Sequence, residues 1–127
     1  MKNDSIKREF FSWLDSVLTE PIPKSAVAFH FNLYEGTDSI HVQLMGTGSF
    51  EGGSDYWPGS ETFSTGENIF EVPFQFAGSE WPQWLESIKR LVSAYLVSGA
   101  QSSTLRSSLG VWIGFVDGDM HVLWPSA

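Results

Sequence analysis

Three histidines are the side chains of this sequence with the clearest capacity for metal or acid–base chemistry. His30 and His41 belong to two neighbouring predicted strands, and His121 follows much later in the chain. A zinc or iron site would need them within about 4 Å of one point, with a carboxylate nearby. Isolated histidines beside Asn and Gln on a polar strand face are more often surface residues. We therefore expect no metal and no cofactor, and we keep a small metal-dependent or acid–base enzyme using these histidines as the alternative hypothesis.

The other patterns that suggest catalysis have simpler explanations. Asp117-Gly118-Asp119 offers two carboxylates, but Asp-Gly is a common turn sequence. The glycines at 46–48 and 52–53 lack the Gly-Lys-Ser/Thr ending of a phosphate-binding loop. No Gly-x-Ser-x-Gly motif is present, and the absence of cysteine excludes disulfides, thiolate zinc sites and cysteine nucleophiles. We predict no catalytic residues and a non-enzymatic role.

The middle of the chain carries only negative charge. Residues 25–88 contain nine carboxylates and neither Lys nor Arg, and the whole chain has a formal net charge of −8. Phosphate binding needs Lys and Arg to displace counterions, so nucleic acid and anionic membranes are not expected as ligands. A one-sided charge of this kind either faces water at some cost in repulsion or awaits a cationic partner, and we expect a basic protein partner.

Part of this acidic region has the composition of an interaction loop. Residues 45–66 are rich in glycine, and Tyr56-Trp57-Pro58 lies among them, with Asp55 before it and Glu61 after it. Aromatic residues are enriched at protein interfaces, although anchors of a loop that fold back onto the core have the same composition. The predicted partner-binding surface combines this loop with the preceding turn and consists of Glu35, Asp38, Glu51, Asp55, Tyr56, Trp57 and Glu61.

These residues require a folded domain to position them. Of the 127 residues, 42% are hydrophobic and 15% are aromatic, which is typical of one globular domain over residues 1–127 and not of a disordered acidic tail. The first ten residues contain no apolar signal-peptide core, and no apolar run approaches the length of about 18 residues that spans a membrane. We therefore expect a cytoplasmic protein.

A β-hairpin near residue 36 is the clearest predicted element. Apolar residues alternate with polar ones over residues 27–34 and again over residues 40–45. With Gly36-Thr37 as a two-residue turn, Leu33 faces Ile40, and the apolar side chains of both strands meet on one face. The opposite face is polar and carries two of the three histidines.

Two amphipathic helices are predicted from apolar residues spaced by three and four. The first covers about residues 4–19, and the second opens at residues 78–80 and ends at Gly99, with Trp81 on its apolar face. Residues 101–108 are predicted to be a polar connection. Each helix has one apolar face, so each is expected to pack on a sheet.

Further strands complete the predicted sheet. Residues 69–76 alternate, and because proline cannot donate to a ladder, Pro73 predicts that this strand is at a sheet edge or is bulged there. Residues 111–124 form a hairpin around Asp117-Gly118, with two apolar faces that favour a position central in the sheet or covered on both sides. The result is an α+β fold with a mostly antiparallel sheet of about 5–6 strands and two helices packed on it. A homodimer through the Pro73 edge or the last hairpin is a further hypothesis.

Two stretches of the sequence carry a resemblance to known proteins. The residues from Phe29 to Gly36 and the ending from Gly110 to Asp119 resemble small bacterial proteins, some of which are similar to the immunity proteins of contact-dependent or polymorphic toxin systems. The resemblance covers the two hairpins and the helix start from Trp81 to Trp84. These motifs are structural, so no site residues are carried over. The resemblance implies a small acidic antidote that occupies a basic toxin domain, commonly a nuclease.

Overall fold

A mixed sheet with helices packed against it forms the fold. The computed structural model describes residues 2–48, 61–116 and 120–124, with side chains described from Ser5 and, after the first gap, from Phe63. The predicted α+β fold is confirmed. None of the helices in these ranges has the length and apolar character needed to cross a lipid bilayer. The elements are α1 Lys2–Thr19, β1 Ala28–Glu35, β2 Ser39–Thr47, β3 Glu61–Ser64, β4 Phe70–Pro73, α2 Phe74–Ala77, α3 Trp81–Ser98, α4 Ser102–Arg106, β5 Val111–Phe115 and β6 His121–Trp124.

The six strands of the described ranges form one sheet, and five of them lie in the order β3-β2-β1-β5-β6. The strand β4 pairs with the same edge of β2 as β3, because β1 occupies the other edge. Four of the five pairings in the described ranges are antiparallel, whereas β1 and β5 run parallel. Parallel neighbours need a long connection, and here it includes three strands and three helices.

The first hairpin has a register two residues away from the predicted one. Leu33 lies opposite Val42, and Ile40 lies opposite the end of β1. The two-residue turn is therefore Thr37-Asp38, and the prediction of a Gly36-Thr37 turn with Leu33 facing Ile40 is wrong. Because side chains alternate with a period of two, a shift by two keeps every side chain on its predicted face.

The glycine of this hairpin is explained by a close approach and not by the turn. Gly36 N–H donates to Ser39 O over 2.8 Å, which closes the last pair of the ladder. A Cβ atom at Gly36 would lie 2.5 Å from Nε2 of His41. Gly36 therefore belongs to the strand pair and leaves room for the His41 ring.

The core lies between one face of the sheet and the two long helices, as the apolar spacing predicted. The helices are also joined by a polar contact, because the Tyr95 hydroxyl of α3 donates to Asp15 Oδ1 of α1 over 2.6 Å. The same hydroxyl oxygen accepts from Gln101 N–H over 3.1 Å. The side chains that are fully buried include Phe10, Leu14, Phe31, Leu33, Ile40, Val42, Leu44, Ile88, Tyr95 and Ile113.

The predicted strand over residues 69–76 is shorter than expected. β4 ends at Pro73 and lies on a sheet edge, as proline indicated, but the next four residues form α2. Pro73 has an extended backbone at the start of α2, and Gly78, with φ of 121°, ends it. Phe74 N–H donates to Asp38 O over 3.3 Å, so α2 is attached to the first hairpin turn. The alternating pattern beyond Pro73 was therefore wrong as a strand signal.

Residues 101–108, predicted to be a polar connection, contain the short helix α4. Its Leu105 side chain is fully buried in the core. Trp124 Nε1 of β6 donates to Arg106 O over 3.0 Å. One apolar residue among serines gives no helical period, which is why the sequence pattern missed this helix.

Only the first strand of the C-terminal hairpin is central in the sheet. β5 lies between β1 and β6, with Ile113 in the main core and Trp112 buried on the opposite face beside Ala28. β6 is an edge strand whose Val122 is exposed, so the expectation of a central or covered position is wrong for this strand. The predicted turn Asp117-Gly118 lies outside the described residues.

Candidate functional site

A groove of about 740 Å³ opens where β1 and β5 both end. Because these strands run parallel, with Leu33 beside Phe115, their carboxyl ends lie next to each other at the same end of the sheet. Open α/β sheets also bind ligands at the carboxyl ends of their strands. The first half of α3 forms the other wall. We call this site the aromatic groove, and it is lined by Tyr34, Glu35, Trp81, Pro82, Trp84, Leu85, Glu86, Lys89, Phe115, Val116 and His121.

Packed rings fix the α3 wall of the aromatic groove. Phe74 and Trp84 stack with ring centroids 5.0 Å apart and an angle of 11° between their planes. Trp84 Nε1 donates to Gly78 O over 2.8 Å, which fixes the other edge of the indole. Phe115 of β5 approaches both Trp84 and Trp81 with centroids 6.4 Å apart. This wall is therefore held in place by α2 and β5 without a guest.

Trp81 is the exposed ring of the groove, with 60% of its surface accessible. The sequence pattern placed Trp81 on the buried face of the helix, and this is wrong. The first turn of α3 lies at the edge of the sheet, where Phe115 meets the indole edge-on at 83°. An exposed tryptophan beside a groove is typical of a protein-binding site.

Two carboxylates border the groove, and they differ in their surroundings. Glu86 Oε2 lies 3.6 Å from Lys89 Nζ, so its charge is balanced within the groove. The Glu35 side chain is exposed at the end of β1, and no cation of the described residues lies within ion-pair distance of it. The aromatic groove therefore combines apolar rings with one carboxylate that has no counter-charge in this part of the chain.

The predicted turn residues lie at this end of the sheet. Glu35 lines the aromatic groove directly. Asp38 is exposed in the hairpin turn, and its carbonyl oxygen accepts the N–H of Phe74, the ring that stacks on Trp84. The structure thus brings Glu35 into the site and places Asp38 beside the short helix that supports it.

The other predicted partner-binding residues lie either away from the aromatic groove or outside the described residues. Glu51, Asp55, Tyr56 and Trp57, like the side chain of Glu61, fall outside the described residues. The backbone of Glu61 pairs with Thr47, at the end of β2 far from the turn. At about 3.3 Å per residue, the length of β2 separates the two ends by about 26 Å. The structure therefore does not bring Glu61 to the groove, and the binding role of the loop stays a prediction.

The three histidines do not converge on one point. His30 lies opposite Met45, which is four residues, or about 13 Å, along β2 from His41. His121 is opposite Ile113 on the face that carries the helices, and it lines the aromatic groove. Within residues 2–48, 61–116 and 120–124, no three His, Asp or Glu side chains are arranged to hold a metal ion.

His30 and His41 have different surroundings. Burial lowers the pKa of His30 to about 4, because the charged imidazolium would lose its hydration. His41 Nε2 lies 3.2 Å from Glu71 Oε1, and the Ser39 hydroxyl donates to the same oxygen over 2.9 Å. In a catalytic triad the histidine accepts the serine proton, but here the carboxylate binds the hydroxyl. This cluster is therefore not arranged to activate Ser39 as a nucleophile.

Sequence reasoning identified Glu35 but missed the groove beside it. Trp81 and Phe115 were assigned to apolar, covered faces by their periodicity, which carries no information about where the sheet ends. The only local signal was the pair of tryptophans three residues apart at a helix start. The groove depends on the parallel pairing of β1 with β5, which a local pattern does not contain.

Comparisons of the chain with protein-family models, with curated proteins and with solved structures gave no match. The function of the aromatic groove is therefore inferred from its own chemistry. A concave surface of fixed rings, one exposed indole and one carboxylate without a counter-charge is suited to binding a side chain of a partner.

Proposed function

We propose that this chain is a non-enzymatic binding protein, an acidic immunity-type inhibitor that occludes a basic toxin domain such as a nuclease. The observation that carries the proposal is the aromatic groove, in which the exposed Trp81 and the carboxylate of Glu35 line the same surface. Aromatic anchors in pockets supply much of the energy of protein association. The resemblance of both hairpins to small bacterial proteins, some of which are similar to immunity proteins, favours the same class.

Charge around the groove supports a basic partner. Glu80 is exposed at the start of α3, so that end of the molecule carries Glu35, Asp38, Glu80 and Glu86 with Lys89 among them. The net charge of −8 adds a long-range field of the same sign. Such a field accelerates association with a basic protein and disfavours nucleic acid and anionic membranes as direct ligands.

The proposal is tested by sequencing the genes that neighbour the gene for this chain and expressing any basic toxin domain that they encode. Co-expression should restore growth of cells that produce the toxin domain, and the purified proteins should form a complex. The association rate constant should fall as the salt concentration rises towards about 0.15 M, where the Debye length is about 8 Å. Isothermal titration measures the affinity of the complex, and stopped-flow measurements at several salt concentrations measure the association rate constant.

A matched pair of charge variants localises the effect. Glu35→Gln removes the carboxylate at the groove, whereas Glu20→Gln removes an exposed carboxylate just after α1. Glu35→Gln should slow association more than Glu20→Gln does. A chain that neither binds the toxin domain nor protects cells from it would overturn the proposed function.

A further inference from the structure

One exposed indole and one carboxylate without a counter-charge line the aromatic groove together. Trp81 offers a ring with 60% of its surface accessible, and Glu35 offers the negative charge. We propose that the groove receives an arginine side chain of the partner, with the guanidinium lying on Trp81 and pairing with Glu35. This inference rests on the proposed function, and it names the group of the partner that the groove takes.

The chemistry of the groove selects against other guests. An anionic guest would meet the carboxylates of both Glu35 and Glu86. A purely apolar guest would cover Glu35 and remove its hydration without a compensating partner, which is unfavourable. A guest that is apolar along its length and cationic at its tip satisfies both the rings and the carboxylate.

Arginine fits this description better than lysine does. Its three methylene groups can lie along Phe115 and Leu85, which line the groove. Its planar guanidinium stacks on an indole face and presents two parallel N–H donors to a carboxylate. The lysine ammonium is compact and more strongly hydrated, so it gains less from the ring. Lys89 is already placed beside Glu86, which leaves Glu35 as the carboxylate for the guest.

The inference is tested with blocked pentapeptides of sequence Gly-Leu-Arg-Leu-Gly and with the same peptide carrying citrulline or lysine. Citrulline has nearly the shape of arginine but no charge. The chain has six tryptophans, so we follow the indole N–H resonances by NMR, and the Trp81 resonance is identified as the one lost in Trp81→Phe. The arginine peptide should shift the Trp81 resonance with a dissociation constant in the millimolar range, as expected for a single anchoring side chain.

The expected differences between peptides and variants are large enough to measure. Citrulline should weaken binding by about tenfold, because it loses both the ion pair with Glu35 and the cation–π contact with Trp81, each of which is worth up to about fivefold at an exposed site. Lysine keeps its charge but stacks less well on the indole, so it should weaken binding by about threefold. Glu35→Gln should weaken the arginine peptide by about fivefold and Trp81→Ala should abolish its binding. Glu67→Gln, which changes an exposed carboxylate in the turn between β3 and β4, should have no effect.

The outcomes separate this inference from the proposed function. Equal binding of the arginine and citrulline peptides, or shifts only at indoles other than Trp81, would overturn the inference. So would full affinity of Trp81→Ala and Glu35→Gln for the toxin domain, although the proposed function would then stand with another surface. If no basic toxin domain binds the chain, the proposed function fails, and the peptide titration still decides whether the groove takes arginine.

Discussion

Phe74 stacks on Trp84 with 5.0 Å between ring centroids and 11° between planes, and this contact links the first hairpin to the aromatic groove. Phe74 also donates its backbone N–H to Asp38 in the hairpin turn. Trp84 in turn packs beside Phe115 at the end of β5. The turn, the short helix α2 and the wall of the groove therefore form one connected unit.

The two tryptophans at the start of α3 should respond differently to truncation. Trp84→Ala removes a stacked ring and its hydrogen bond to Gly78, so we expect a loss of about 3 kcal/mol in the free energy of unfolding. Trp81→Ala removes an exposed ring and should change that free energy by less than about 0.5 kcal/mol. Urea denaturation of both variants measures the difference, and equal losses would contradict the assignment of Trp81 to a binding surface.

The hydroxyl of Tyr95 should contribute to stability more than that of Tyr34. Burial and the hydrogen bond to Asp15 raise the pKa of Tyr95 well above its usual range. Tyr95→Phe leaves the part-buried Asp15 and the N–H of Gln101 without this partner, so we expect a loss of about 1–2 kcal/mol. Tyr34→Phe is the control, because the Tyr34 hydroxyl makes no hydrogen bond to another described residue. Similar unfolding free energies for the two variants would count against the role of the Asp15 contact.

The buried His30 should make the protein less stable in mild acid. Its pKa is about 4 in the folded chain and about 6.5 in the unfolded chain, so the unfolded state binds the proton first as the pH falls. The neutral, buried His30 makes its full contribution to the free energy of unfolding above pH 6.5, and this contribution is lost as the pH falls towards 4. By pH 5 it amounts to a loss of about 2 kcal/mol.

A substitution isolates this effect from the other titrating groups. His30→Gln removes the titrating ring, so its unfolding free energy should change less between pH 7 and pH 5 than that of the unaltered chain. Chemical denaturation at both pH values gives the two differences. The same pH dependence in both proteins would show that His30 is not the responsible group.

Gly99 should be required because of the Tyr95 ring. Its φ of −67° is accessible to any residue, but a Cβ atom would lie 2.4 Å from two atoms of that ring. Gly99→Ala should therefore lower the unfolding free energy by about 1–3 kcal/mol. In a Tyr95→Ala background the same substitution should have little further effect, since the clash is absent. A cost that persists in that background would point to the backbone of Gly99 instead.

The sequence predicted what depends on local period and missed what depends on distant neighbours. Apolar spacing predicts which face of α1, of α3 and of both hairpins is buried, because turning any of these elements over would expose all of its apolar side chains. The hairpin register was missed because a shift by two residues keeps the same faces, so the apolar pattern does not distinguish the two registers. In the observed register Gly36 lies close to the His41 ring. The helix α4 was missed because Leu105 alone gives no period.

In the candidate site, too, the sequence predicted the features that depend on local pattern and missed those that depend on distant neighbours. Glu35 was found because a carboxylate in a region without cations is visible in the sequence. The exposure of Trp81 was missed because periodicity assigns a residue to a helix face but does not tell where the opposing sheet ends. The parallel pairing of β1 with β5 determines where the sheet ends beside α3. This pairing joins residues about 80 positions apart in the sequence.

That pairing also sets the order in which the chain can fold during synthesis. The pairing of β1 with β2 joins residues that are close in sequence, so this hairpin can form as soon as it leaves the ribosome, with the other edge of β1 bare. That edge is covered only when β5 has been made, and until then its free N–H and C=O groups can pair with another chain. A chain shortened before Val111 would keep this edge open permanently and should aggregate, even though most of its core residues are present.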